Sequence, residues 1–122
     1  MRVLIADDDR DTVLTLGILL RSEGYDVRLA QSGTEALTLA AEFQPDVALL
    51  DLNMPGRTGL EVAQELAGRA TRCPVLIAVS GHLGEEERRL AGSSGFHDLV
   101  SKPYDPHALL LLLDSLRDTH VP

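Results

Sequence analysis

An α/β fold, a parallel sheet with helices on both faces, is the fold class this chain predicts. Two observations carry that prediction. Strand-like and helix-like segments alternate along the whole chain, which is the pattern of βαβ units. Two of the strand-like runs, residues 47–50 and 75–79, are apolar at every position, as strands buried on both faces must be. With 122 residues the chain is long enough for one domain with a real core.

The elements follow in order. Strands are predicted at residues 2–6, 26–30, 47–50, 75–80 and 99–101. Helices are predicted at about 11–22, 34–42, 59–68, 85–91 and 106–117. The breaks between them carry turn chemistry: Glu23-Gly24, Gln31-Ser32-Gly33, Gln44-Pro45, Pro55-Gly56, Ser93-Ser94-Gly95 and Lys102-Pro103. Asp9 stands where it can cap the first helix. In that helix Leu16, Leu19 and Leu20 form an inner stripe. At about 100° per residue, Leu14 and Ile18 then fall on the opposite side. In the last helix Leu109, Leu113 and Leu116 face inward with Leu112 beside them. Leu111 points away and Leu110 sits at the margin.

Composition excludes several classes. The chain is 44% hydrophobic and 25% charged, ordinary for a globular protein. A formal net charge of -8 opposes direct binding to nucleic acid or to an anionic membrane, both of which need a basic face. Cys73 is the single cysteine, so no internal disulfide can form. No signal peptide precedes the first strand pattern, and the leucine run at 109–113 is too short to span a bilayer. A cytoplasmic location is the expectation.

The strand ends carry the chemistry. Val3-Leu4-Ile5-Ala6 runs into Asp7-Asp8-Asp9, and Val47-Ala48-Leu49-Leu50 into Asp51. The run from Val75 to Val79 ends in Ser80, and Leu99-Val100-Ser101 in Lys102, the only lysine. In parallel strands these ends share one edge, where open α/β sheets hold their ligands. Asp7, Asp8 and Asp51 together suit a hard divalent cation such as Mg²⁺, which takes oxygen ligands. Asp51 can attack phosphorus, Lys102 can hold a phosphoryl oxygen, Ser80 can donate a hydroxyl, and Gly81 leaves room.

These residues, with Leu50-Asp51-Leu52-Asn53-Met54-Pro55-Gly56, Ser80-Gly81 and Lys102-Pro103, look like a response-regulator receiver domain over essentially the whole chain. The resemblance implies a flavodoxin-like doubly wound sheet of five strands, order 2-1-3-4-5, with five helices. It implies Asp51 as phospho-acceptor, Mg²⁺ held by Asp8 and Asp51, by Asp7 through water and by the Asn53 backbone carbonyl. Ser80 would follow the phosphoryl group and Lys102 would pair with it. The phosphoryl group would come from a histidine of a kinase or phosphotransfer protein. Residues 1–122 read as one receiver domain with no output domain in the chain, a signalling phospho-acceptor rather than a turnover enzyme. Gly95-Phe96 and Lys102-Pro103-Tyr104-Asp105-Pro106 lean toward receivers of hybrid kinases and phosphorelays.

Some positions depart from the family pattern. Leu99 stands where many receivers carry a Tyr or Phe that moves with the Ser/Thr. The charged pattern by which many DNA-binding regulators pair their last strands and helices is not evident. Tyr104 reads as packing, and His82 lies where family members tune loss of the phosphoryl group. Leu14 and Ile18 form the candidate face for the histidine-bearing partner, with Leu110 and Leu111 as a rival surface. The competing function is a Mg²⁺-dependent aspartyl-phosphate phosphohydrolase. Against it, the acidic pair here precedes the nucleophile, and the chain has no cap insert. A receiver acting only as a scaffold is opposed by the full set of phosphorylation residues.

Overall fold

The computed structural model describes residues 1–69, 73–81 and 84–119. Its elements are β1 (Arg2–Ala6), α1 (Arg10–Ser22), β2 (Asp26–Ala30), α2 (Gly33–Phe43), β3 (Val47–Asp51), α3 (Gly59–Ala67), β4 (Val75–Ser80), α4 (Glu85–Ser93), β5 (Asp98–Ser101) and α5 (Pro106–Thr119). The five strands are all parallel and lie in the order β2-β1-β3-β4-β5, as the resemblance implied.

The alternation of side chains along each strand sorts the core into two layers. Val3, Ile5, Val47, Leu49 and Ile77 meet Val13, Leu16 and Leu20 of α1 and Leu109 and Leu113 of α5. Leu4, Ala6, Ala48, Leu50 and Leu76 meet Ala36 and Leu37 of α2 and Val62 and Leu66 of α3. Truncating such a fully buried leucine to alanine typically costs about 2–5 kcal/mol.

Helix starts follow local chemistry. The Asp9 carboxylate caps α1, accepting from the Asp11 N–H at 3.1 Å and from the Thr12 hydroxyl at 2.8 Å. Ser32 caps α2, and Thr58 with Glu61 forms a reciprocal capping box on α3. Gln44 closes α2 in the left-handed region at φ 50°, a place where glycine is commoner. Several bounds differ from the expectation. β5 starts at Asp98, one residue early, and α4 runs on to Ser93. β3 continues through Asp51, because Asp51 pairs in register with Val79 and the Leu52 N–H donates to the Val79 carbonyl at 3.1 Å. Among the described residues, no helix is long and apolar enough to cross a membrane.

Candidate functional site

β1 and β3 are neighbours, with Ala6 opposite Leu50, so Asp7 and Asp51 leave the sheet side by side. β4 adds Ser80 on the far flank of β3. β5 then delivers Lys102, whose N–H donates to the Ser80 carbonyl at 2.8 Å. The expected convergence at one edge is therefore observed.

Carboxylate oxygens of Asp7, Asp8 and Asp51 all lie within 4.8 Å of one another. Asp7 and Asp51 are only 4% and 5% exposed, whereas Asp8 faces solvent. The Lys102 ammonium bridges the two buried acids, 2.8 Å from Asp7 Oδ2 and 3.2 Å from Asp51 Oδ2. Each acid also accepts from the backbone with its other oxygen. Asp7 Oδ1 takes the Asp9 N–H at 2.9 Å, and Asp51 Oδ1 takes the Asn53 N–H at 3.0 Å. These three carboxylates and the ammonium together carry a formal charge of -2, the charge a divalent cation balances. The donors are hard oxygens, so the site fits such an ion.

Titration follows from this crowding. Burial pushes the Asp51 carboxyl above the usual range and the nearby Asp7 charge adds to it; the Asn53 N–H and Lys102 oppose the rise without cancelling it. For Lys102, burial favours the neutral amine. The hydrogen bonds to Asp7 and Asp51 outweigh it, and the ammonium titrates above an ordinary lysine.

The height of Asp51 is set by a close approach. A Cβ added at Gly59, the first residue of α3, would lie 2.3 Å from the Asp51 carbonyl oxygen. Only glycine lets the helix start press against the end of β3. Gly33 does the same for α2, where a Cβ would meet the Arg57 carbonyl oxygen at 1.9 Å. The segment between Asp51 and Gly59 is thus held from both sides.

The remaining expected residues fall as follows. Ser80 is 1% exposed at the end of β4. Asn53 is exposed on the loop after β3, and Leu99 is half-buried on β5 opposite Ala78. Leu14 and Ile18 are exposed, at 41% and 69%, and so is Leu111 at 68%. Leu110 packs against the α1/α5 core. His82 lies outside the described residues. Tyr104 packs on the same core cluster, as expected, but it also lines a groove of about 540 Å³ with Asp9, Thr12, Thr15 and Lys102. The packing of Tyr104 is as read from the sequence, and its place in the groove is an addition to it. Its only signal in the sequence was its place two residues beyond Lys102.

Fold and site together define a signalling receiver of two-component systems. The chain belongs to the response regulator receiver domain family, whose model matches residues 3–114. It is 36% identical over 109 residues to the DNA-binding response regulator MtrA of Mycobacterium tuberculosis (strain ATCC 25618 / H37Rv), covering 89% of this chain and 47% of that protein. It is 38% identical over 117 residues to the response regulator MprA of Mycobacterium sp. (strain KMS), covering 95% and 50%. The chain thus spans about half the length of the curated relatives it matches. Among solved structures it is similar to a CheY-like receiver domain protein of Methanospirillum hungatei JF-1, with TM-score 0.89 and 27% identity over 97% of this chain and 94% of that one. The receiver domain of the Francisella response regulator 1452 superposes with TM-score 0.90 at 26% identity, covering 98% of each chain. The lean toward hybrid kinases takes no support from these names.

Proposed function

We propose that the chain accepts a phosphoryl group on Asp51 from a phosphorylated histidine of a kinase or phosphotransfer protein, with Mg²⁺ held at Asp7, Asp8 and Asp51. The observation that supports this most is the charge imbalance: two buried carboxylates and an exposed one converge, with a single ammonium between them. Crowded carboxylates without a full counter-charge repel one another, and a bound cation removes that cost. Asp51 then supplies the attacking carboxylate oxygen. Lys102, already between Asp7 and Asp51, needs only a side-chain rotation to reach an incoming phosphoryl oxygen. Ser80 stands across β3 from Asp7 to take another oxygen. The cation supplies further charge neutralisation for the phosphoryl group, with the Asn53 carbonyl as an additional ligand. Family membership favours this reading over a phosphohydrolase.

Leu14 and Ile18 lie on α1, whose first turn adjoins the acidic site. They are the docking face we assign to the histidine-bearing helix, where each buried side chain contributes up to roughly 1.5–3 kcal/mol. Nucleic acid is not assigned to this acidic chain. The DNA-binding described for MtrA belongs to a protein about twice as long. A phosphohistidine donor is charged from ATP, so we place the reaction in the cytoplasm.

The test is intact-mass analysis after incubation with acetyl phosphate and Mg²⁺. Wild type should gain an alkali-labile phosphoryl group and Asp51→Asn should gain none. Equal labelling of the two would end the assignment. Leu14→Ser with Ile18→Ser should slow transfer from a histidine phosphodonor protein about tenfold, with acetyl phosphate labelling unchanged.

A further inference from the structure

The groove beside the acidic site is not used by the acceptor chemistry described so far. It runs from the first turns of α1 to the segment after β5, and Thr12, Thr15, Leu16, Lys102, Pro103 and Tyr104 line it. Lys102 belongs to both the groove and the carboxylate cluster, so the two are continuous. The ring of Tyr104 is half-buried and held against the α1/α5 core. Its hydroxyl makes no hydrogen bond among the described residues. Burial, then the charge of Asp7, keeps the phenol protonated well past neutral pH, and Lys102, Asp51 and Asp9 also act on it. The packed ring thus brings an O–H donor, unpaired among the described residues, into the groove that Lys102 shares with the carboxylate cluster. Ring packing alone would be served equally by phenylalanine.

We propose that Tyr104 is a catalytic residue on the leaving-group side, donating a hydrogen bond to the ring nitrogen of a phosphorylated imidazole as the phosphoryl group passes to Asp51. The inference rests on Asp51 being the acceptor. In the step, a bond forms between phosphorus and an Asp51 carboxylate oxygen. The P–N bond breaks and its electron pair stays on the ring nitrogen. The other ring nitrogen keeps its proton, so the imidazole leaves neutral, and Tyr104 retains its own proton throughout. The departing nitrogen has no free lone pair until the P–N bond lengthens. The hydrogen bond is therefore made in the transition state and not in the ground state, which raises the rate rather than the affinity. Acetyl phosphate leaves as a carboxylate, a weaker base than imidazole, and gains less from the same donor.

The experiment compares wild type with Tyr104→Phe, which keeps the ring and removes the hydroxyl. Labelling rates are measured at saturating phosphoimidazole and, separately, at saturating acetyl phosphate, with thermal melts alongside. The expected result is a loss of about three- to tenfold in the maximal rate with phosphoimidazole, the size of one hydrogen bond. The rate with acetyl phosphate should change less than about twofold. Parallel losses with both donors would mean that the ring has shifted, and no loss with either would mean that the hydroxyl is idle. Each overturns the proposal. A wild type labelled by neither donor would instead remove the acceptor reading itself, and this inference with it.

Discussion

The two ends of the same sheet treat charge in opposite ways. At the amino ends of the strands, polar groups are matched locally. The Arg2 N–H donates to Asp46 Oδ2 at 2.8 Å and its guanidinium donates to the Phe43 carbonyl at 3.0 Å. Arg28 pairs with Asp26 and lies over the Phe43 ring, 4.5 Å from its centre. His97 accepts the Leu76 N–H on Nδ1 at 3.1 Å and returns its own N–H to the Leu76 carbonyl at 2.7 Å. At the carboxyl ends, Asp7, Asp8 and Asp51 crowd together, and Lys102 pairs with only Asp7 and Asp51. The first end is built for stability. The second keeps a charge excess that a bound cation and a phosphoryl group can use.

Removing the ammonium that bridges Asp7 and Asp51 should have the largest effect. Lys102→Ala should slow labelling of Asp51 by acetyl phosphate about 100-fold, comparable to loss of one preorganised donor to a transition-state oxygen. Undiminished labelling would reduce Lys102 to a structural counter-ion.

Added cation probes the same end. Mg²⁺ at roughly 10–100 times its dissociation constant should stabilise wild type by about 1.4–2.7 kcal/mol, a rise of several degrees in Tm. Asp8→Ala should lose most of that shift. An equal shift in both proteins would place the ion elsewhere.

In the metal-free protein the charge on Asp51 costs stability. Asp51 titrates above its unfolded value, so the folded state favours its protonated form. Its ionised form is therefore destabilising at neutral pH, and the cost disappears as pH falls through the raised value into the ordinary carboxylate range. Asp51→Asn should melt higher than wild type in chelator at neutral pH, by on the order of 1 kcal/mol. The gap should close on acidification. A variant that melts lower at neutral pH would mean that the Lys102 and Asn53 contacts outweigh the crowding.

The smallest effect belongs to the other end. Arg2→Ala should lower stability by about 0.5–1 kcal/mol through loss of the bond to the Phe43 carbonyl and of the guanidinium contact with the Phe43 ring, 5.8 Å from its centre. Labelling of Asp51 should be untouched. A labelling defect would couple the two ends and blur the contrast between them.

Much of this was legible in the sequence because parallel strands bring their carboxyl ends together whatever the loops do. Asp7, Asp8, Asp51, Ser80 and Lys102 could be gathered from strand ends alone. Exposure of Leu14, Ile18 and Leu111 followed from helical periodicity. What stayed hidden depends on loop closure and long-range pairing. The bridging of Asp7 and Asp51 by Lys102 needs the exact path of the chain after β5. The imidazole of His97 completing the edge of β4 has no local pattern. Nor does the bond from the Tyr25 hydroxyl to Asp114, which ties the start of β2 to α5. The groove at Tyr104 is a product of packing between α1 and the segment before α5, and no strand or helix period reports it.

The most direct test of the account is to locate the phosphoryl group. After incubation with acetyl phosphate, borohydride reduction converts an acyl phosphate on aspartate to homoserine, which peptide mapping can place. The account predicts homoserine at position 51 in Mg²⁺, and none there in chelator. Homoserine at Asp7 or Asp8, or equal conversion of Asp51 with and without the metal, would contradict it.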